Sequence, residues 1–154
     1  MGGRVRYKHL IPALALLALV LLTGTALAAI MCRGECTGTN MNDRLIGSPQ
    51  DDRIFSGAGN DRARGDAGED FIKGEEGNDE VYGQVDNDRV KGNLGEDKVF
   101  GGQGDDIVRG GSHGRPDDGA IDILDCGQGT DTVYFTPGVD EVSDNCENRN
   151  DPPE

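Results

Sequence analysis

Aspartate returns at every ninth residue, eight times without a gap, and this spacing constrains the chain more than any other feature. Cut from Gly38 in steps of nine, the sequence reads GTNMNDRLI, GSPQDDRIF, SGAGNDRAR, GDAGEDFIK, GEEGNDEVY, GQVDNDRVK, GNLGEDKVF and GGQGDDIVR, ending at Arg109. The sixth column is Asp43, Asp52, Asp61, Asp70, Asp79, Asp88, Asp97 and Asp106. The window 38–109 holds twelve Asp and eight of them fill that one column, so chance does not account for it. The eighth column is aliphatic throughout, from Leu45, Ile54, Ala63 and Ile72 to Val81, Val90, Val99 and Val108. The first column is Gly except at Ser56. The fourth is Gly in five units, with Met41, Gln50 and Asp86 departing. An internal period of this kind decides the architecture before any local propensity does.

Each column has a physical reading. The seventh to ninth positions alternate polar, apolar, polar, which predicts a short strand with one buried face. The six positions before them are rich in Gly, Asn and Asp, the residues that accept positive φ in tight turns. Strand plus turn is half a coil, so two units make a coil of 18 residues, and coils stack by parallel pairing about 4.8 Å apart. The expected object is an all-β, flattened solenoid with aliphatic side chains inside and acidic turns along both edges. Successive units alternate between edges. Asp43, Asp61, Asp79 and Asp97 therefore share one edge, and Asp52, Asp70, Asp88 and Asp106 share the other. Carboxylates one coil apart repel by ~1 kcal/mol in water and by several at an effective dielectric of about 20. A hard divalent cation between them turns repulsion into attraction. Carboxylates plus turn carbonyls supply the oxygen-only set of roughly six to eight ligands that Ca²⁺ takes.

The units resemble the repeats-in-toxin (RTX) nonapeptide G-G-x-G-x-D-x-U-x, the hemolysin-type calcium-binding repeat. The resemblance runs unbroken over 38–109. It implies a right-handed parallel β-roll (β-solenoid) of nine-residue repeats, two per coil. It also implies Ca²⁺ between successive turns on each edge, bound by the sixth-column Asp and by turn carbonyls. Four turns per edge leave three gaps, hence at most six sites in this block. The second position is Gly only at Gly57 and Gly102. Met41 and Gln50 mark the first two units as a capping coil. Asp86 is a milder departure, because Asp tolerates left-handed backbone better than most residues. The firmest ligands are Asp61, Asp79 and Asp97 on one edge, followed by Asp70, Asp88 and Asp106 on the other.

Beyond Arg109 the register breaks at 110–116 (GGSHGRP), read as a surface loop. It resumes, degraded, over 117–154 as DDGAIDILD, CGQGTDTVY and FTPGVDEVS followed by a cap. Asp122, Asp131 and Asp140 again lie nine apart, with Leu124, Val133 and Val142 in the aliphatic column. Only 126–134 keeps a well-formed G-x-G-x-D, which makes Asp131 a secondary calcium candidate; an ordinary turn Asp in a capping coil is the other reading. Four cysteines allow three pairings. Cys126 and Cys146 fall on the same edge one coil apart, close enough to bond. Cys32 and Cys36 then pair locally in an N-terminal cap, 29–37. Both bridges staple solenoid ends, where stacking partners are missing. Zinc lacks ligands, since His113 is the one histidine beyond His9.

Residues 1–9 are basic, Leu10–Leu22 is apolar, and Ala26-Leu27-Ala28 places small residues where a signal peptidase reads. Residues 1–28 are thus expected to be a signal peptide cleaved after Ala28; the alternative is a retained anchor, since Leu10–Met31 reaches the ~20 residues a bilayer span needs. A secreted, extracellular protein meets abundant calcium and keeps its disulfides. The chain has 15 Lys+Arg against 29 Asp+Glu, a net of −14. Removing Arg4, Arg6 and Lys8 leaves 12 against 29, or −17. Such a surface excludes nucleic acid as a partner, because phosphate binding needs a basic one. No small-molecule substrate is indicated, and neither G-x-S-x-G nor H-E-x-x-H occurs, so an enzyme is not expected. The expected function is a secreted calcium-binding protein whose folding is coupled to the ion. The alternative is a calcium-stabilised cell-surface or matrix adhesion module binding an anionic polysaccharide. It would act through the basic seventh and ninth columns: Arg44, Arg53, Arg62, Arg64, Lys73, Arg89, Lys91, Lys98 and Arg109. The plain reading of those residues is a solvated guard over the sheet faces.

Overall fold

The computed structural model describes residues 29–111 and 118–150. The expected signal segment 1–28 lies outside the described residues, as do 112–117 and 151–154. Fourteen strands follow one another, joined by turns. They are β1 (Ile30–Met31), β2 (Glu35–Thr37), β3 (Arg44–Ile46), β4 (Arg53–Ala58), β5 (Arg62–Ala67), β6 (Phe71–Glu76) and β7 (Glu80–Val85), then β8 (Arg89–Leu94), β9 (Lys98–Gln103), β10 (Ile107–Gly111), β11 (Ile123–Gln128), β12 (Thr132–Tyr134), β13 (Glu141–Val142) and β14 (Asn148–Asn150). Odd-numbered strands form one seven-stranded sheet and even-numbered strands the other. Pairing is parallel throughout, each strand meeting the one two places on. Within 44–109 the pairing offset is 18 residues, as in Ala63 opposite Val81 opposite Val99. This is the expected β-roll, two nine-residue units per coil.

The aliphatic column fills the space between the sheets. Leu45, Ile54, Ala63, Ile72, Val81, Val90, Val99, Val108, Leu124 and Val133 are all fully buried. Each contributes ~1.5–3 kcal/mol by leaving water, Ala63 less. Only one such side chain per nine residues is available, so the core is thin, one row from each sheet. Disulfides Cys32–Cys36 and Cys126–Cys146 join this core at its two ends, with Cα atoms 5.5 and 5.2 Å apart. Both are the expected pairs.

Two expectations are corrected. The central strands run for six residues rather than three, from the seventh column through the third of the next unit. The first-column glycines Gly65, Gly74, Gly83, Gly92 and Gly101 are buried inside these strands, where only a residue without a side chain fits against the neighbouring coil. The break after Arg109 also starts later than expected. Gly110 and Gly111 complete β10 instead of opening a loop, with Gly111 opposite Asn93. Stacking resumes with Leu124 opposite Val99, an offset of 25 residues where the units before it have 18.

Candidate metal centre

The sixth-column aspartates close each turn just before a strand begins, which stacks them along the two edges. Asp52, Asp61, Asp70, Asp79, Asp88, Asp97, Asp106, Asp122 and Asp131 are buried, each no more than 3% exposed. One carboxylate oxygen of each links two coils. Asp61 Oδ1 accepts the Asp43 amide at 2.6 Å, Asp79 Oδ1 the Asp61 amide at 2.7 Å and Asp97 Oδ1 the Asp79 amide at 2.8 Å. On the other edge Asp70, Asp88 and Asp106 accept from Asp52, Asp70 and Asp88 at 2.7, 2.8 and 2.7 Å. Asp52 accepts from the Gly34 amide in the N-terminal cap.

The second oxygen separates the column into two kinds of residue. Oδ2 of Asp61, Asp70, Asp79, Asp88, Asp97, Asp106 and Asp131 is buried without a hydrogen-bond partner. A buried carboxylate oxygen left unpaired costs on the order of 1–3 kcal/mol or more, so its recurrence at seven stacked positions calls for a ligand. Asp43 and Asp52 differ. Asp43 Oδ2 accepts from the Thr39 amide and hydroxyl at 2.6 and 2.7 Å, and Asp52 Oδ2 from the Ser48 amide and hydroxyl at 2.6 and 2.9 Å. The second-column Thr and Ser of the first two units thus do internally what a cation would do elsewhere. Asp140, at the far end, is satisfied likewise by the Thr136 amide at 2.7 Å.

Glycine shapes the space around each free oxygen. A methyl added at Gly83 would collide with Asp88 Oδ2 and lie 2.6 Å from the Gly101 carbonyl oxygen, one coil on. Gly74 repeats this with Asp79 Oδ2 and the Gly92 carbonyl at 2.8 Å, and Gly65 with Asp70 Oδ2 and the Gly83 carbonyl at 2.8 Å. Gly65, Gly74, Gly83 and Gly101 therefore each leave a cradle, lined by a carboxylate oxygen and a backbone carbonyl, that any side chain would fill, while Gly92 leaves one against Asp97 Oδ2. At Asp61 the first-column residue is Ser56, whose Oγ is buried and unpartnered and adds another oxygen. Among the described residues no three His, Cys, Asp or Glu side chains gather at one point. Carbonyls must then complete any coordination sphere, which suits a hard cation such as Ca²⁺ and not zinc. The residues present fit calcium.

Electrostatics agree with the geometry. Burial is the main cause that lifts the carboxyls of Asp88 and Asp97 to about 8, Asp70 and Asp106 to about 7 and Asp79 to about 6. Asp61 and Asp131 are raised for the same reason. The amide hydrogen bonds pull the other way, and neighbouring carboxylates of the same column add to the rise. A column of acids held above its ordinary range is one that a divalent cation would relieve.

The structure brings the candidates of 38–109 into their two expected edges. It places Asp131 at the end of the second, its Oδ1 accepting from Asp106 at 2.7 Å. Its cradle is different. Asp125 faces Phe100 and Gly127 faces Gly102, which sets Cys126 opposite Gly101. The first-column position is thus a disulfide-bonded cysteine instead of glycine. Asp122, a residue not singled out from the sequence as a ligand, extends the first edge by accepting the Asp97 amide at 2.9 Å. Its partner glycine is Gly110, twelve residues earlier instead of five, where a methyl would meet Asp122 Oδ2. The nine-residue step from Asp122 to Asp131 was the available signal.

No curated protein and no solved structure gives a significant match to the chain. The family model described as RTX calcium-binding nonapeptide repeat (4 copies) matches at residues 37–72, 57–90 and 82–112, the stretch that builds the stacked turns above. Register, orphaned carboxylates and family match coincide on the same segment, and the chain carries the RTX calcium-binding nonapeptide repeat over 37–112.

Proposed function

We propose that this is a secreted calcium-binding protein whose roll folds around Ca²⁺ held between successive G-x-G-x-D turns. The supporting observation is the set of seven buried, unpartnered Asp Oδ2 atoms stacked along two edges. Without a cation, ionised carboxylates one coil apart oppose a core of one aliphatic side chain per unit. Ion-binding energy is then folding energy. The ligands are Asp61, Asp79 and Asp97 on one edge and Asp70, Asp88 and Asp106 on the other, with first-column carbonyls beside them. Asp43 and Asp52 act as caps, and Asp131 is a weaker ligand because Cys126 shares its cradle. Secretion is supported by the basic, apolar and small-residue succession in 1–28 and by two disulfides, which persist in oxidising surroundings. We assign the chain a binding role and no catalysis.

The test is far-ultraviolet circular dichroism in chelator, followed by Ca²⁺ titration through about the millimolar range with Mg²⁺ as control. A transition from disorder to β-structure with Ca²⁺ alone, lost in Asp79→Ala/Asp97→Ala, is expected. A chain already β-rich in chelator at neutral pH and indifferent to Ca²⁺ would overturn the proposal.

A further inference from the structure

The two sheet faces are not alike. On the odd-numbered sheet the outward positions carry Arg44, Arg62, Arg64 and Lys98 among the carboxylates Asp66, Glu80, Asp125 and Glu141. Two of the four cations there are paired, Arg62 with Glu80 at 3.4 Å and Arg64 with Asp66 at 3.1 Å. On the even-numbered sheet the outward positions of β4, β6, β8, β10 and β12 carry Arg53, Lys73, Arg89, Lys91 and Arg109, with Glu75 as the one carboxylate. None of these five cations makes an ion pair among the described residues. A protein of net charge −14 thus keeps one face mostly basic, its outward carboxylates being Glu75 and, on β2 opposite Arg53, Glu35.

Register makes the face a row. Lys73 lies opposite Lys91 and Lys91 opposite Arg109, so three like charges stand on successive strands about 4.8 Å apart. Their rest positions are aromatic rings. Lys73 Nζ is 5.2 Å from the Phe55 centroid and Lys91 Nζ 5.3 Å from that of Phe71, while the Arg109 guanidinium sits 4.0 Å over Tyr134. Ring faces hold these cations without neutralising them. Burial, then Arg109, Lys73 and Arg89, pulls the Lys91 ammonium below its ordinary range, and Arg109 Nε is buried with no acceptor. Like charges aligned across a sheet are destabilising by themselves, so the row calls for an anion.

We propose that the outward face of the even-numbered sheet binds a linear anionic polysaccharide carrying a carboxylate or sulfate on successive sugars, laid along the Lys73–Lys91–Arg109 row. The proposal rests on the calcium-folded roll, since only stacking brings these side chains together. Two observations favour a narrow chain over other polyanions. The exposed carboxylates of Asp51, Glu69 and Asp105 line the turn edge beside the face and repel a broad anionic body such as a bilayer or a duplex. The aromatic rings are half-buried beneath cations and offer no protruding apolar anchor for a membrane.

The test measures binding of the calcium-loaded chain to immobilised chondroitin sulfate, with uncharged dextran, phosphatidylserine vesicles and single-stranded DNA alongside. Lys73→Gln/Lys91→Gln is compared with Arg44→Gln/Lys98→Gln on the opposite sheet, which removes the same charge. Binding to chondroitin sulfate and not dextran, weakened about tenfold by the first pair and less than about twofold by the second, with a shallower salt dependence, is expected. Equal losses from both pairs, preference for vesicles or DNA, or no binding by a chain that dichroism shows to be folded would each overturn it. A chain that fails to fold with Ca²⁺ reports against the calcium proposal instead, and dichroism of the same samples tells the two failures apart. If either variant pair is misfolded by that criterion, Lys91→Gln and Lys98→Gln singly decide the comparison.

Discussion

The backbone amide of Asp97 donates to Oδ1 of Asp122 at 2.9 Å across 25 residues, whereas 18 residues separate Asp79 from Asp97 in the same column. The edge continues past seven inserted residues. Asp122→Ala should therefore strand the buried Asp97 amide and cost about 1–3 kcal/mol, seen as a lower urea midpoint in calcium. Asp140→Ala, whose contact to the Asp122 amide is 3.2 Å at a half-buried terminal turn, should cost less.

The internal caps divide the aspartates by role. Asp43→Asn, at a carboxylate already satisfied by Thr39, should leave calcium stoichiometry by isothermal titration unchanged. Asp79→Asn should lower the stoichiometry and weaken the remaining affinity by about tenfold or more, because it removes an anionic oxygen from a cradle between coils.

Acid should partly replace calcium. A carboxyl held higher in the folded state than in the unfolded chain favours folding where it is protonated. That stability is complete below about pH 4, the unfolded value. It is lost as pH rises through about 6 for Asp79, about 7 for Asp70 and Asp106 and about 8 for Asp88 and Asp97. In chelator the chain should then show more β-structure at pH 5 than at pH 8, by dichroism. Calcium affinity should move oppositely and strengthen from pH 5 to pH 8, as cation and protons compete for the same oxygens.

Second-column positions carry backbone cost. Asp66, Glu75, Gln84 and Asn93 all adopt positive φ, at 91°, 83°, 95° and 90°, where Gly57 and Gly102 occupy the same column at 103° and 130°. Glu75→Gly relieves a left-handed side-chain clash and should stabilise the calcium-loaded roll by about 0.5–1 kcal/mol, offset in part by extra freedom of the unfolded chain. Thermal denaturation checks it. The same change removes a carboxylate two residues along β6 from Lys73 and should raise affinity for chondroitin sulfate.

Much of this was legible because a nine-residue period leaves little freedom. Asp at one phase and an aliphatic residue two places on specify strand, turn, edge and parallel stacking together, and the cysteine columns pair the disulfides. What escaped depends on contacts that a column does not record. Met41 and Gln50 marked the first two units as a cap, but it is Thr39 and Ser48 that each supply the hydroxyl satisfying the unit's own aspartate. Gly110 read as the start of a loop, because its partner Asp122 comes seven residues late. The basic residues of the seventh and ninth columns were visible and unit alternation sorts them by sheet, but the ion pairs on one face and the ring contacts on the other depend on side-chain contacts.

The amide-to-carboxylate ladder also has a direction. Each aspartate receives the amide of the coil before it, so a coil is completed only by the arrival of its successor. Within this ladder the two ends are therefore chemically unequal: the leading end offers spare carboxylate acceptors, the trailing end spare amide donors. Gly34 answers the first need by donating to Asp52, and Glu147 the second by accepting the Asp131 amide at 3.0 Å. Shortening this chain from its C-terminal side would uncover a row of unsatisfied N–H groups, an invitation to another strand, and the tail carrying Cys146 and Glu147 is what closes that door.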